Sequence, residues 1–242
     1  MDFDPGPPPS YAELFGRLPD LTPIRESLWF DWGPVFYRGR LDGSARVLCI
    51  ASDPGATERI AGRTLVGDAG QRVQGFLRKL GLSRSYLCLN AFPYALFPSH
   101  ADRARSLLAL PAFREWRNEM YDAAAEDVDA VIAFGKVART AVSQWPGAVG
   151  RHVIEVPHPS SHDEADLLAR WRRAVNDLRP RVARDAGTSR ARRSGRPTTH
   201  RSRRPICRSA FRRGSATTRG HVRVRRRCAR QCAGQSPMTA TR

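Results

Sequence analysis

The chain has 242 residues, and 41 Lys and Arg against 23 Asp and Glu give it a formal charge of +18 and a pI near 11.2. Taken whole, that balance describes a protein that binds polyanions, but the charge is unevenly placed. Residues 1–178 hold 21 basic and 22 acidic side chains, whereas residues 179–242 hold 20 Arg, no Lys and a single acid, Asp185. The last segment also has few large apolar side chains, so burial there cannot offset the entropy of ordering the backbone. The expected globular unit is therefore the preceding stretch of about 175 residues, enough for one domain with its own core.

The apolar runs are too short to span a bilayer, and the start, MDFDPGPPPS, lacks a basic region followed by an apolar stretch, so no signal peptide is expected. Of the five cysteines, Cys49 and Cys88 lie in apolar, strand-like runs, and Cys207, Cys228 and Cys232 lie in the Arg-rich segment. That usage fits a reduced, cytoplasmic protein rather than a disulfide framework.

In chain order, residues 1–27 read as a Pro-rich arm with a short helix at 11–18, stopped by Pro19. An aromatic-rich stretch, SLWFDWGPVFYRGRLDG, ends in a turn at Asp42-Gly43. Ala45–Ala51 (ARVLCIA) is an apolar run of the kind buried on both faces of a sheet, broken by Asp53-Pro54-Gly55. Residues 69–80 place Val73, Phe76, Leu77 and Leu80 at helical spacing, with Gly81 as a stop. Tyr86–Asn90 is a second strand, and Pro111 opens a helix over 111–127. Ala130–Phe134 is a third strand followed by a helix over 136–144. His152–Val156 is a fourth, followed by a helix over 163–178 with Leu167, Leu168, Trp171 and Val175 on one face. The alternation predicts a three-layer α/β/α sandwich over residues 28–180, with a central, mainly parallel, four-stranded sheet and an Arg-rich tail at 181–242.

In such sheets ligands bind beyond the carboxyl ends of the strands, where three polar clusters fall. Asp53 follows the most apolar strand; Pro54 fixes the backbone beyond it, and Gly55 permits close approach of another molecule. A carboxylate there can orient or activate water, or the Asp-Pro-Gly can simply make a turn. Asn90 ends the second strand and offers a donor and an acceptor side by side, complementary to an amide or pyrimidine edge, or closes a turn. His158 precedes Pro159 and is expected to be extended, serving either the site or the local structure. Ser161 with Glu164 fits a helix capping box, and the helix start presents N–H groups suited to a phosphate. His158 and His162 are four apart, but Pro159 denies them a shared helical turn, which argues against a metal pair. Gly135-Lys136 lacks the first Gly of a P-loop, and no G-x-S-x-G is present. Cys228 and Cys232 with His221 make a poor zinc signature in a segment without a core.

Together these residues resemble the uracil-DNA glycosylase superfamily over about residues 28–178. SDPGATERIAGRTLVGDAG looks like the first motif of the family 4 type, G-E-x-P-G…G-R-P-F-V-G-x-A-G. Asp53 nevertheless stands where family 1 (G-Q-D-P-Y) carries its acid, and Ser52 stands where family 4 does. LNAF at 89–92, IAFGKVA at 132–138 and HPSSH at 158–162 resemble the strand with the base-reading Asn, a later strand–helix junction and the H-P-S motif. The resemblance implies base excision from DNA after base flipping. Asn90 would bind the base edge, His158 would stabilise charge on the departing base, and Asp53 would position water and balance an oxocarbenium-like sugar. Ser160 and the backbone near Gly55 would hold phosphates, with Ser161, His162 and Lys136 as further DNA contacts.

Leu65 replaces the Phe that stacks on the base in family 4, which turns attention to Phe92 for stacking. Gly55 replaces the Tyr that blocks the thymine methyl in family 1, so other damaged bases would fit. Ser161-His162 stand where family 1 has its wedge, and the cysteine ligands of the family 4 iron–sulfur cluster have no counterpart. The implied protein is a monomeric glycosylase needing no metal or other cofactor, with uracil-containing DNA as partner and no membrane. A DNA-binding member with lost catalysis and a small-molecule α/β hydrolase using the same pocket are the alternatives. The tail reads either as a DNA-tethering arm or as an out-of-frame extension, which its lack of Lys and near-absence of acids favour.

Overall fold

A computed structural model describes residues 6–186; the rest of the Arg-rich tail, and with it both readings of the tail, lies outside the described residues. The strands are β1 (Leu28–Trp29), β2 (Tyr37–Gly39), β3 (Val47–Ala51), β4 (Tyr86–Asn90), β5 (Ala95–Leu96), β6 (Ala130–Phe134) and β7 (Val153–Val156). The α-helices are α1 (Pro9–Gly16), α2 (Ala56–Ala61), α3 (Gly67–Leu80), α4 (Ala104–Leu108), α5 (Pro111–Ala124), α6 (Gly135–Ser143) and α7 (Glu164–Leu178).

The apolar runs at 47–51, 86–90 and 130–134 are buried at every position. Burial on both faces leaves no polar alternation, so these runs become the central strands of a sheet covered on both sides. The sheet order is β2-β4-β3-β6-β7, with β4, β3, β6 and β7 parallel and β2 antiparallel at one edge. Alternation along the strands divides the core. Leu48, Ile50, Leu89 and Val131 pack with residues of α1, α4, α5 and α6, while Val47, Cys49, Cys88 and Ile132 pack with α3 and α7. This is the three-layer α/β sandwich expected, with five strands in the main sheet where four were predicted. The additional strand, β2, spans three residues and includes Arg38 and Gly39, too short and too polar to carry a periodic signal.

The last helix starts differently from its reading. Its N-cap is Asp163, whose carboxylate accepts from the Asp166 N–H at 2.9 Å. Ser161 instead closes a turn, its N–H donating to the His158 carbonyl at 2.9 Å, so the capping box at Ser161–Glu164 does not form. Pro159 and that turn delay the helix, and the cap passes to the next residue able to accept.

Beyond α7 the chain still packs. Val182 is buried, and Asp185 accepts from the Ser83 N–H at 2.6 Å and the Arg84 N–H at 2.7 Å. Truncation after residue 180 deletes these contacts, whereas truncation after 186 keeps them. Loss of a buried Val is worth about 2 kcal/mol, so thermal unfolding should show the shorter protein melting about 5 °C below the longer one.

Candidate active site

The carboxyl ends of β3 and β4 place Ala51 and Asn90 in register, and the chain leaves β3 through Ser52-Asp53-Pro54-Gly55 into α2. Asp53, Gly55, Leu65, Asn90, His158 and Ser160 all line one cavity of about 350 Å³ over this edge. The polar residues expected from separate parts of the sequence therefore converge.

Asp53 is held from an unexpected direction. Its Oδ2 accepts from the Leu96 N–H at 2.9 Å, and Leu96 is fixed by the pairing of β5 with β1, Leu28 opposite Leu96. Burial pushes the Asp53 carboxyl up to about 6, and the neighbouring Glu58 adds to the rise, while the Leu96 N–H and Arg59 oppose it. The group is thus ionised at neutral pH and protonated in mild acid. Glu58 is itself buried and lines the cavity. An added Cβ at Gly55 would lie 2.7 Å from the Glu58 carboxylate, so the absence of a side chain at position 55 makes room for that second acid.

Asn90 is 3% exposed, and its Nδ2 is buried without a hydrogen-bond partner. An unmet donor on a cavity wall is costly unless a ligand or water accepts from it. It is the most direct sign that the cavity is built for a polar occupant.

His158 is fixed from three sides. Trp171 Nε1 on α7 donates to the Pro157 carbonyl at 3.1 Å, and Arg72 on α3 donates to the Pro159 carbonyl at 2.9 Å and pairs with Glu164. Gly135, at φ +86°, opens α6 so close by that a Cβ there would lie 2.8 Å from the His158 Cβ. The Ser160 N–H donates to Nδ1 at 3.2 Å, so Nδ1 carries no proton and the neutral ring holds its hydrogen on Nε2. Burial lowers the His158 pKa, which favours that neutral form.

Leu65 is the one non-glycine residue with positive φ (53°) among the described residues. It is clamped by the Arg38 guanidinium on its carbonyl at 2.5 Å and by Gly70, where a Cβ would come within 1.8 Å of the same oxygen. Gly70→Ala forces backbone against backbone; the expected cost is about 3 kcal/mol or more, read as a lowered unfolding midpoint with loss of ligand binding in the cavity.

Phe92 does not join the cavity. Its ring is fully buried and stacks on Phe113 with centroids 5.7 Å apart. After Asn90 the backbone bends, so the i, i+2 relation of a strand is lost and Phe92 turns into the α5 side of the core, where it cannot stack on a ligand. Lys136 and Ser161 line a second hollow of about 330 Å³ with Arg139 and Arg170, and this hollow shares His158 and Ser160 with the first. His162 is exposed and borders neither. Glu58, Thr57 and the α3 entry at Val66–Ala69 line the cavity without having been singled out, and Arg72 positions the His158 loop. A buried acid on a six-residue helix, or an Arg acting 87 positions away, leaves no local pattern.

Cys49 and Cys88 are buried, free thiols opposite one another in β3 and β4. Two thiols do not make the four-cysteine set of an iron–sulfur cluster, and among the described residues no group of three or more His, Cys, Asp or Glu is placed to hold a metal. No helix among these residues is long and apolar enough to cross a membrane.

No curated protein matches the chain. Residues 38–182 match a known family, from β2 through α7, a span that contains Asp53, Asn90 and His158. The chain belongs to the uracil DNA glycosylase superfamily.

Proposed function

We propose that the chain is a DNA glycosylase that hydrolyses the N-glycosidic bond of uracil, or of a related deaminated base, after the nucleotide has flipped out of the duplex. The observation that carries this reading is the buried, partnerless Asn90 Nδ2 in a cavity that also presents a carboxylate and a neutral imidazole. Nδ2 donates to a carbonyl of the flipped base, and Oδ1 accepts its ring N–H. As the C1′–N bond breaks, its electron pair passes to the base, and His158 Nε2–H stabilises the oxygen on which that charge collects. Asp53, ionised at neutral pH, balances the developing oxocarbenium ion and accepts a proton from the water that attacks C1′. The hollow at Lys136, Arg139 and Arg170 meets the cavity at His158 and suits a phosphate of the same strand. The side chain that Gly55 lacks leaves room for the Glu58 carboxylate, a second acid on the wall of the cavity, and not for a bulkier base.

The test is release of free base by the full chain from oligonucleotides carrying uracil, hypoxanthine, xanthine or mismatched thymine. Release from at least one of the deaminated purines or uracil is expected. Failure on all four, with DNA binding intact, would leave a non-catalytic DNA-binding member of the superfamily.

A further inference from the structure

Asp53 stands between β3 and α2, yet the hydrogen bond that fixes it comes from β5, a strand outside the main sheet. β1 and β5 pair over two residues each, Leu28 opposite Leu96 and Trp29 opposite Ala95. A two-stranded ribbon that short does not hold its own geometry in water, so its anchors decide where the Leu96 N–H points. One anchor is Leu28, which is 2% exposed and packs into the core. Alternation along β1 sends Trp29 to the other face, where it stays 38% exposed. Burial does not explain a large aromatic there, but its contacts do. The Arg59 guanidinium carbon lies 4.2 Å from the Trp29 ring centroid. The same indole stacks with Phe97, the residue after Leu96, at 5.7 Å between centroids, and its Nε1 donates to the Asp31 carboxylate at 2.6 Å.

Arg59 belongs to α2, the helix that the chain enters directly after Asp53. Its Nε and Nη1 are buried without a hydrogen-bond partner, so the face of the Trp29 ring is what holds the guanidinium in place. The segment that carries Asp53 therefore meets the ribbon twice, through Asp53 on the Leu96 N–H and through Arg59 on the Trp29 ring. Leu96 and Trp29 are in turn joined by the β1–β5 pairing. Two contacts between the same two segments fix an angle as well as a distance. With the hydrogen bond alone, the ribbon could swing and the N–H leave the carboxylate.

We propose that Trp29 and Arg59 are positioning residues for Asp53, their stack acting as a clasp that holds the β1–β5 ribbon on α2 and keeps the Leu96 N–H on the carboxylate. Its consequence for base release rests on the glycosylase reading, but its test reads the carboxyl directly. The charged and titratable groups facing Asp53 are Glu58 and Arg59 from α2, Asp68 from the start of α3 and His158 from the loop after β7. Trp29→Leu changes none of them, so an altered titration reports position and not a lost charge. The full chain is labelled with carbon-13 at the Asp carboxyls and titrated by NMR, the Asp53 signal being the one that Asp53→Asn removes. Trp29→Leu should raise the Asp53 midpoint from about 6 by about one pH unit, because the Leu96 N–H favours the ionised form. Trp29→Tyr keeps a ring for the guanidinium and should titrate as wild type. Base release by Trp29→Leu should then fall about fivefold at about pH 6 and stay near wild type at about pH 8. Arg59→Leu opens the clasp from its other side and is read by hydrogen exchange at the Leu96 amide, which loss of a charge does not unlock. That exchange should quicken about tenfold at about pH 8. A wild-type midpoint in Trp29→Leu would overturn the clasp. So would unchanged Leu96 exchange in Arg59→Leu, which decides the matter if Trp29→Leu does not fold. A raised midpoint without base release by any of the proteins would keep the clasp and reject the glycosylase reading.

Discussion

Asp53→Asn should lower the rate of base release by about a thousandfold or more while leaving oligonucleotide binding nearly unchanged. The amide keeps an oxygen to accept from the Leu96 N–H but supplies neither negative charge for the sugar cation nor a base for water. The wild-type rate should fall about tenfold per pH unit below about 6, as the carboxylate is protonated, and the residual rate of the variant should lack that limb. Stability should move the other way. The folded carboxyl titrates near 6, above the 3.8 of an unperturbed Asp, so the folded state binds the proton more tightly and Asp53 costs stability as pH rises from 4 to 6. Asn removes that cost. The variant should therefore be more stable than wild type near neutrality, by about 1–3 kcal/mol, with the difference vanishing below about pH 4. A slow variant that is also less stable at every pH would point to a structural role for Asp53.

His158→Ala should reduce the rate by about a hundredfold to a thousandfold, the range for losing one preorganised donor to a developing oxyanion. His158→Gln is the informative partner, because its amide can place an N–H near the position of Nε2 and should recover part of the loss. The low pKa of the buried ring also predicts no fall in wild-type rate as pH rises through the usual imidazole range, since the working form is neutral. A rate that drops with the loss of a proton near pH 6.5 would require the imidazolium instead. Single-turnover rates across pH, with both variants, separate the two.

The parts of this molecule that were legible in the sequence share one property: their signal is local. β4 and β6 were read at their observed limits because burial on both faces makes each a continuous apolar run. Asp53, Asn90 and His158 were found because parallel strands bring their carboxyl ends together, so one topological rule places three distant residues. What was missed depends on contacts between distant segments. β2 and the β1–β5 pair are two or three residues long, yet β5 supplies the N–H that holds the Asp53 carboxylate. The left-handed backbone at Leu65 is imposed by Arg38 and Gly70 and not by Leu65 itself. Phe92 was offered for stacking only because Leu65 replaces the Phe of the resembling motif, and the bend after Asn90 carries its ring into the core against Phe113. The charge excess of the whole chain pointed to DNA through the tail, whereas in the folded domain the proposal rests on the buried Asn90 amide and the cavity it lines.

The most direct measurement is single-turnover release of free uracil from an oligonucleotide with one uracil, at about pH 7.5, by wild type and Asp53→Asn in parallel. The account predicts stoichiometric free uracil and an abasic strand from wild type, and a strand bound but almost uncut by the variant. No release by wild type, or equal release by both, would contradict it.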